Sequence, residues 1–251
     1  MSLAIVCTAR PSYSKLRPII RTYLTYGCPP PILYLTSGTL LHRFGSVIDQ
    51  VRQEFPHLPL VPVYSEFDGY TVETSAKSTA ALLSSLTDAF AWQRPDMVLV
   101  NHDRREVLAA AQAAAYQNIP VAHIGGGEHS GNIDDKVRDA ITCLSDRHFP
   151  ATLQAAQRVM ALLGPRRDGH IEAVGCPSID LAREARDTPP VTCEELGGVG
   201  KTLDLNQPFL LVLKHAETEI PEQAFRQMQT TLNAVRATKL PTLVLWPGSD
   251  A

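Results

Sequence analysis

The sequence predicts an α/β protein: a mostly parallel sheet with helices on both faces. Two observations predict it. Short apolar, β-branched runs alternate with amphipathic stretches of helical length through most of the chain, the pattern of repeated β-α units. Runs such as "MVLV" (97–100) are apolar without alternation, as a strand covered on both faces requires.

In order, "LAIVCT" (3–8) reads as a buried strand, followed by a helix from about Ser14 to Tyr26. Ser14 serves as its N-cap, and Pro18 lies near the first turn, where a missing N–H costs little. "ILYLTS" is the second strand and "PLVPVYS" a weaker third. Ser75 to Trp92 is a long helix, and Pro95 introduces the strand "DMVLVN". Asp103 to Gln117 is an alanine-rich helix able to pack closely on a sheet. "IPVAHI" is a further strand, and Asp134 to Ser145 a further helix. "ATLQAAQRVMALL", "HIEAVG" and "PSIDLAREAR" continue as helix, strand and helix.

From Asp187 to Pro208 the texture changes to "DTPPVTCEELGGVGKTLDLNQP", which reads as a connection. The expected organisation is a first domain over 1–186, a linker over 187–208 and a second domain beginning at 209. "FLLVLKH", a helix from about Pro221 to Thr238, and "PTLVLWP" make one further β-α-β unit. A two-stranded sheet with bare edges is marginal alone, so the second domain is expected to be incomplete at Ala251. "GGVGKT" (197–202) imitates a phosphate loop, but the motif needs glycine where Glu195 stands, and a preceding strand.

Composition narrows the function classes. A net charge of −3 without a basic stripe gives nucleic acid no electrostatic support. No run approaches the length of a membrane span, and the N-terminus lacks the h-region of a signal peptide. Five cysteines without a Cys-x-x-Cys pair fit a reducing cytoplasm.

Ligands of such sheets bind beyond the carboxyl ends of the strands. Asp103, His123 and the loop from Gly125 to Asp135 fall at such ends. The stretch "IPVAHIGGGEHSGNIDDKV" (119–137) is open to three readings. Its glycines permit a tight turn with Asp134 or Asp135 capping the next helix. His123, Glu128, His129 and Asp134 offer metal-binding atoms, but without a His-x-x-x-His or comparable pair no metal is expected. As a dinucleotide fingerprint, Gly125, Gly127 and Gly131 are spaced one residue too widely. The third reading is a ligand loop, favoured by the conjunction with "NHDRRE" directly after a buried strand. "DDKVRD" in isolation is a solvated helix face, and His123 or His215 alone is a satisfied core histidine.

Several segments together resemble the hydrolysing UDP-N-acetylglucosamine 2-epimerases of the sialic-acid pathway type. "CTARPSYSKLRPI" is similar to that family's first strand and loop, and "NHDRREVLAAAQAA" to its Gly-Asp-Arg-x-Glu/Asp-x-Leu-Ala segment. "IPVAHIGGGEHSGNIDDKVRDAITCLSDRHF" is similar to its Ile-Glu-Gly-Gly-Glu stretch and the helix after it. "VGCPSID" and "LLVLKHAETE" match later segments. The resemblance implies two Rossmann-like domains in a glycosyltransferase-B-like arrangement, with the second truncated here. It implies elimination of UDP from UDP-GlcNAc to a glycal, then hydration to N-acetylmannosamine, with a UDP-sugar as substrate and no cofactor. It makes Asp103, Asp134, Glu128 and His215 candidate catalytic groups, and Arg10, Arg104, His123, Gly126 and Gly127 candidate substrate contacts. Family members commonly form oligomers, so a homo-oligomer or a separate C-terminal half is an expected partner.

Two positions depart from the pattern: the family's Glu is Gly125, and its Gly is His102. The departures open two alternatives, an impaired relative that only binds a nucleotide-sugar or a partner protein, and an enzyme with an altered nucleotide-sugar substrate. If general catalysis by a carboxylate at 125 is the missing term, Gly125→Glu in a longer protein with the second domain supplied is expected to raise kcat by about a hundredfold or more.

Overall fold

A computed structural model describes Met1–Trp246 apart from residues 43–44, 70, 166–169, 190 and 217–219. Among these residues β1 (Leu3–Cys7), β2 (Ile32–Thr36), β3 (Leu60–Val63), β4 (Met97–Asn101), β5 (Val121–Ile124), β6 (Arg147–Phe149) and β7 (His170–Ile171) form one sheet. Its order is β3-β2-β1-β4-β5-β6-β7, and all neighbours are parallel. The chain grows toward one edge from β1 and toward the other from β4. Connections therefore part between β1 and β4, leaving a crevice beyond their carboxyl ends.

Side-chain alternation sends the strands' apolar residues to both faces. Ala4 and Val6 of β1 join a core with Leu82, Leu86 and Phe90 of α3 (Val72–Gln93) and the alanines of α4 (Arg105–Ala115). Leu3, Ile5 and Cys7 face Leu16 and Ile20 of α1 (Arg10–Thr25) and Val47 and Val51 of α2 (Val47–Glu54). Each fully buried Leu or Ile contributes roughly 2 kcal/mol. The small side chains Ala109, Ala110, Ala113 and Ala114, all buried, let α4 lie close to its neighbours. Phe90 meets Tyr34 edge to face at 5.2 Å, an arrangement favoured by the ring quadrupoles. The remaining helices of this part of the chain are α5 (Ile133–Leu144), α6 (Leu153–Leu163) and α7 (Pro177–Arg186).

Several boundaries correct the expectations. α1 begins at Arg10 with Pro11 in its first turn, so Ser14 is inside the helix and Pro18 lies deep within it. Pro18 is tolerated because the carbonyl it leaves without a helical donor belongs to exposed Ser14 and can bond water. α3 starts earlier than expected, at a capping box in which Thr71 Oγ1 accepts from Thr74 N at 3.1 Å. α4 starts at Arg105, which leaves Asp103 in the turn before it. Sequence periodicity alone missed α2 and β6, which are short.

The chain divides into two compact units, Met1–Arg183 and Glu184–Ala251, with the boundary inside α7. The second contains α8 (Cys193–Leu196), β8 (Leu210–Val212), α9 (Ala224–Thr238) and β9 (Thr242–Val244), with β8 and β9 paired in parallel. The stretch 187–208 is thus not structureless. Glu195, which spoils the phosphate-loop pattern, closes a capping box by accepting from Thr192 N at 2.7 Å.

Candidate active site

β4 ends at Asn101, and the chain turns through His102 at φ 64°. A non-glycine residue takes that left-handed value uncommonly, and for His102 the surroundings supply the bonds that hold it. Here the His102 N–H donates to the Ile124 carbonyl at 2.8 Å, and its own carbonyl accepts from His123 Nε2 at 2.9 Å. His102 Nδ1 bonds Asn101 Oδ1. His123 is fully buried, and burial pushes its pKa down to about 3. It is therefore neutral. Its Nε2 must carry the proton because a carbonyl only accepts, leaving Nδ1 to accept from Thr142 Oγ1 at 3.2 Å.

The next layer comes from the loop after β5. Asn132 caps α5, its Oδ1 accepting from Asp134 N at 3.0 Å. The cap is therefore Asn132 and not Asp134 or Asp135, and the Asp135 carboxylate turns back to the loop. It accepts from Ser130 N at 2.7 Å, Gly131 N at 2.8 Å and Ser130 Oγ at 2.8 Å. These bonds, the Ser130 amide foremost, together with Arg138, hold its carboxyl well below the usual carboxylate range.

Arg138 is 3% exposed. "DDKVRD" is thus no solvated face. The guanidinium bonds Asp103, Asp135 Oδ1 at 2.6 Å, the Glu128 carbonyl at 2.9 Å and Ser130 Oγ at 3.2 Å. Burial lowers its pKa, but the bonds to Asp103 and Asp135 outweigh that and leave it raised. One buried cation ties the turn after β4, the loop after β5 and the first turn of α5 into a unit.

Among the sequence candidates, Asp103 is joined by Arg138 to Asp135. Asp134 is half-buried in the first turn of α5. Gly126 leaves room for His123 and Thr142: a Cβ there would lie 3.2 Å from His123 Nδ1 and 3.0 Å from Thr142 Oγ1. Gly127 lies against α6, and its carbonyl accepts from Arg158 Nη1 at 3.0 Å. Glu128 lines a recess of about 210 Å³ with His129, Asp135, Asp139 and Arg158. Arg104 forks onto the buried Glu106 carboxylate at 3.1 and 3.3 Å. Arg10, exposed at the start of α1, lines a shallow depression of about 530 Å³ with Pro11, Ser14, Lys15, Gln50 and Ser178. His215 follows β8 in the second unit and is exposed.

The two departures from the family pattern meet in space. Gly125 has φ 81°, and a Cβ there would lie 3.2 Å from three atoms of the His102 ring. The imidazole lies against the place of a side chain at 125, so Gly125→Glu requires the ring to give way by a few tenths of an ångström and a side chain to hold a left-handed φ. Arg138 and Asp135 were missed as site residues. Their i, i+3 spacing behind a strand-end loop is the signal that marks them as one helix face.

Among the described residues no group of three or more His, Cys, Asp or Glu is placed to hold a metal, and no helix is long and apolar enough to cross a membrane. The sequence profile described as UDP-N-acetylglucosamine 2-epimerase matches residues 38–251. The UDP-N,N'-diacetylbacillosamine 2-epimerase (hydrolyzing) of Legionella pneumophila is 32% identical over 209 residues, covering 82% of this chain and 53% of that protein. A UDP-N-acetylglucosamine 2-epimerase of Neisseria meningitidis serogroup B is 31% identical over 173 residues, 68% of this chain and 44% of that one. The chain thus spans about half the length of the curated relatives it matches. The crystal structure of Neisseria meningitidis UDP-GlcNAc 2-epimerase bound to UDP-GlcNAc shares the fold, with a TM-score of 0.73 at 21% identity over 97% of this chain and 65% of that one. With the profile covering most of its length and a relative at 32% identity, the chain belongs to the UDP-N-acetylglucosamine 2-epimerase family.

Proposed function

We propose that this chain carries the acid–base half of a hydrolysing UDP-N-acetylhexosamine 2-epimerase, converting UDP-GlcNAc and water to N-acetylmannosamine and UDP. The observation that carries the reading is the Asp103–Arg138–Asp135 group at the strand ends beside the β1/β4 switch point. Elimination moves the C2–H electron pair into a C1=C2 bond as the C1–O bond to UDP breaks. Hydration then puts the water oxygen on C1 and a proton on C2 from the opposite face. Both steps need groups that exchange protons with the sugar. Asp103 and Asp134 supply carboxylates in this reading, and Arg10 and Lys15 supply cations for the diphosphate. His123 and Gly126 hold the shape of the site from behind, and Arg104 does so through Glu106.

A second reading is favoured by one specific pair. His102 lies against the place of a side chain at 125, and the Legionella relative at 32% identity is named for a diacetylated bacillosamine. A substrate differing from UDP-GlcNAc around the sugar ring follows naturally from both.

The experiment is UDP release and NMR identification of the sugar, with UDP-GlcNAc and with UDP-N,N'-diacetylbacillosamine. The chain alone is expected to be slow. The chain spans about half the length of its curated relatives, and fusion to the C-terminal half of the Neisseria relative should speed release by about a hundredfold or more if that half helps orient the substrate. Binding without UDP release from either compound in the fused protein would leave only the nucleotide-sugar-binding reading.

A further inference from the structure

We propose that His102 is the proton acceptor of this site, its Nε2 taking the C2 proton of the bound sugar nucleotide as the C1–O bond to UDP breaks. The inference rests on the elimination reading above. Three observations carry it.

The first is the seat. Three atoms of the His102 ring lie 3.2 Å from where a Cβ at Gly125 would be, so the glycine supplies a flat surface for the imidazole. The second is how the ring is held. His102 keeps a left-handed φ of 64° because its N–H bonds the Ile124 carbonyl and its carbonyl is gripped by buried His123, itself gripped by Thr142. Strain of this kind persists only where the surroundings over-determine it. The third is the tautomer. Nδ1 faces Asn101 Oδ1, an acceptor on a side chain that is 2% exposed. The proton therefore sits on Nδ1 and the lone pair on Nε2, which has no protein partner among the described residues.

Charge around the ring sets its basicity. Burial pushes the His102 pKa down to about 4, helped by the Lys15 ammonium of α1 and the Arg138 guanidinium of α5 and opposed by Asp103 in the same turn. His123 of β5, behind the ring, is neutral. An anionic diphosphate against Lys15 would cancel that cation's contribution. The imidazole would then become more basic when substrate is bound, and the proton it takes would pass to Asp103 or to solvent before the next turnover.

Nitrogen-15 NMR of imidazole-labelled chain reads the tautomer and its titration directly. A neutral Nδ1–H ring at pH 7, with a pKa that rises when UDP saturates the protein, is expected. An Nε2–H ring, an imidazolium at pH 7, or no response to bound UDP would overturn the proposal. The kinetic arm uses whichever preparation above turns over. His102→Gly suits the left-handed backbone and should keep the fold. It should lower kcat by about a hundredfold or more with KM little changed, and added imidazoles should restore the rate in the order of their basicity. Wild-type rates in His102→Gly would sink the proposal while leaving the epimerase reading intact. If the wild type releases no UDP, the epimerase reading fails, and with it the proton transfer proposed here; the NMR arm then reports only the tautomer and its response to UDP.

Discussion

Asp103, Asp135 and Arg138 show how a single residue's environment decides its role. Arg138 is 3% exposed with two carboxylates on its guanidinium. Breaking such a buried pair strands the remaining charges, so Arg138→Met should destabilise the protein by about 3 kcal/mol. Arg138→Lys should recover only part, because an ammonium lacks the planar fork. Urea midpoints of the variants check this. His123 makes a second prediction. Its pKa falls from 6.5 to about 3 on folding, so between those values the unfolded chain binds a proton that the folded one does not. Stability then rises with pH across that window and is lost as pH falls, by at most about 1.4 kcal/mol per pH unit for this group. His102, lowered to about 4, acts in the same direction, as do the bonds that lower Asp135 at more acid pH. Denaturation between pH 7 and 4.5 should show the decline. His123→Gln, which keeps a donor for the His102 carbonyl and does not titrate there, should make it shallower.

At the scale of elements, the site depends on how closely α6 approaches the loop after β5. A Cβ on Gly127 would lie 2.2 Å from the Ala155 carbonyl oxygen, and the residue's φ is 77°. Neither backbone can yield without moving the helix. Gly127→Ala should therefore cost about 3 kcal/mol or more, from overpacking plus a strained φ, and chemical denaturation measures it. Elements with several turns of clear periodicity, such as α3 and α4, were legible in the sequence, as were the apolar runs of β1 and β4. Their ends were less so. Ser14 has a capping residue's chemistry but is already inside α1, because Pro11 opens the helix sooner.

The chain carries two units that differ in how much apolar surface they bury. The first packs a sheet between helices on both faces, whereas the second holds the β8–β9 pair, with Leu211 at 60% and Trp246 at 76% exposure. Such a pair has few buried contacts to resist local opening. Amides of β8 and β9 should exchange with deuterium orders of magnitude faster than those of β1 and β4. Equal protection in the monomeric chain would contradict that.

Sequence by itself determined the α/β class and the parallel sheet, because side-chain period and strand apolarity are local properties. It also marked positions 102 and 125 as unusual, since both stood out against a family pattern. Only the tertiary structure decided what they mean. His102 and Gly125 lie on different strand ends, and the β4–β5 register lays the imidazole on the glycine. Likewise Arg138 looked solvated among the charges of "DDKVRD". Its guanidinium is paired with Asp103, thirty-five residues away, and no local spacing encodes a contact of that separation.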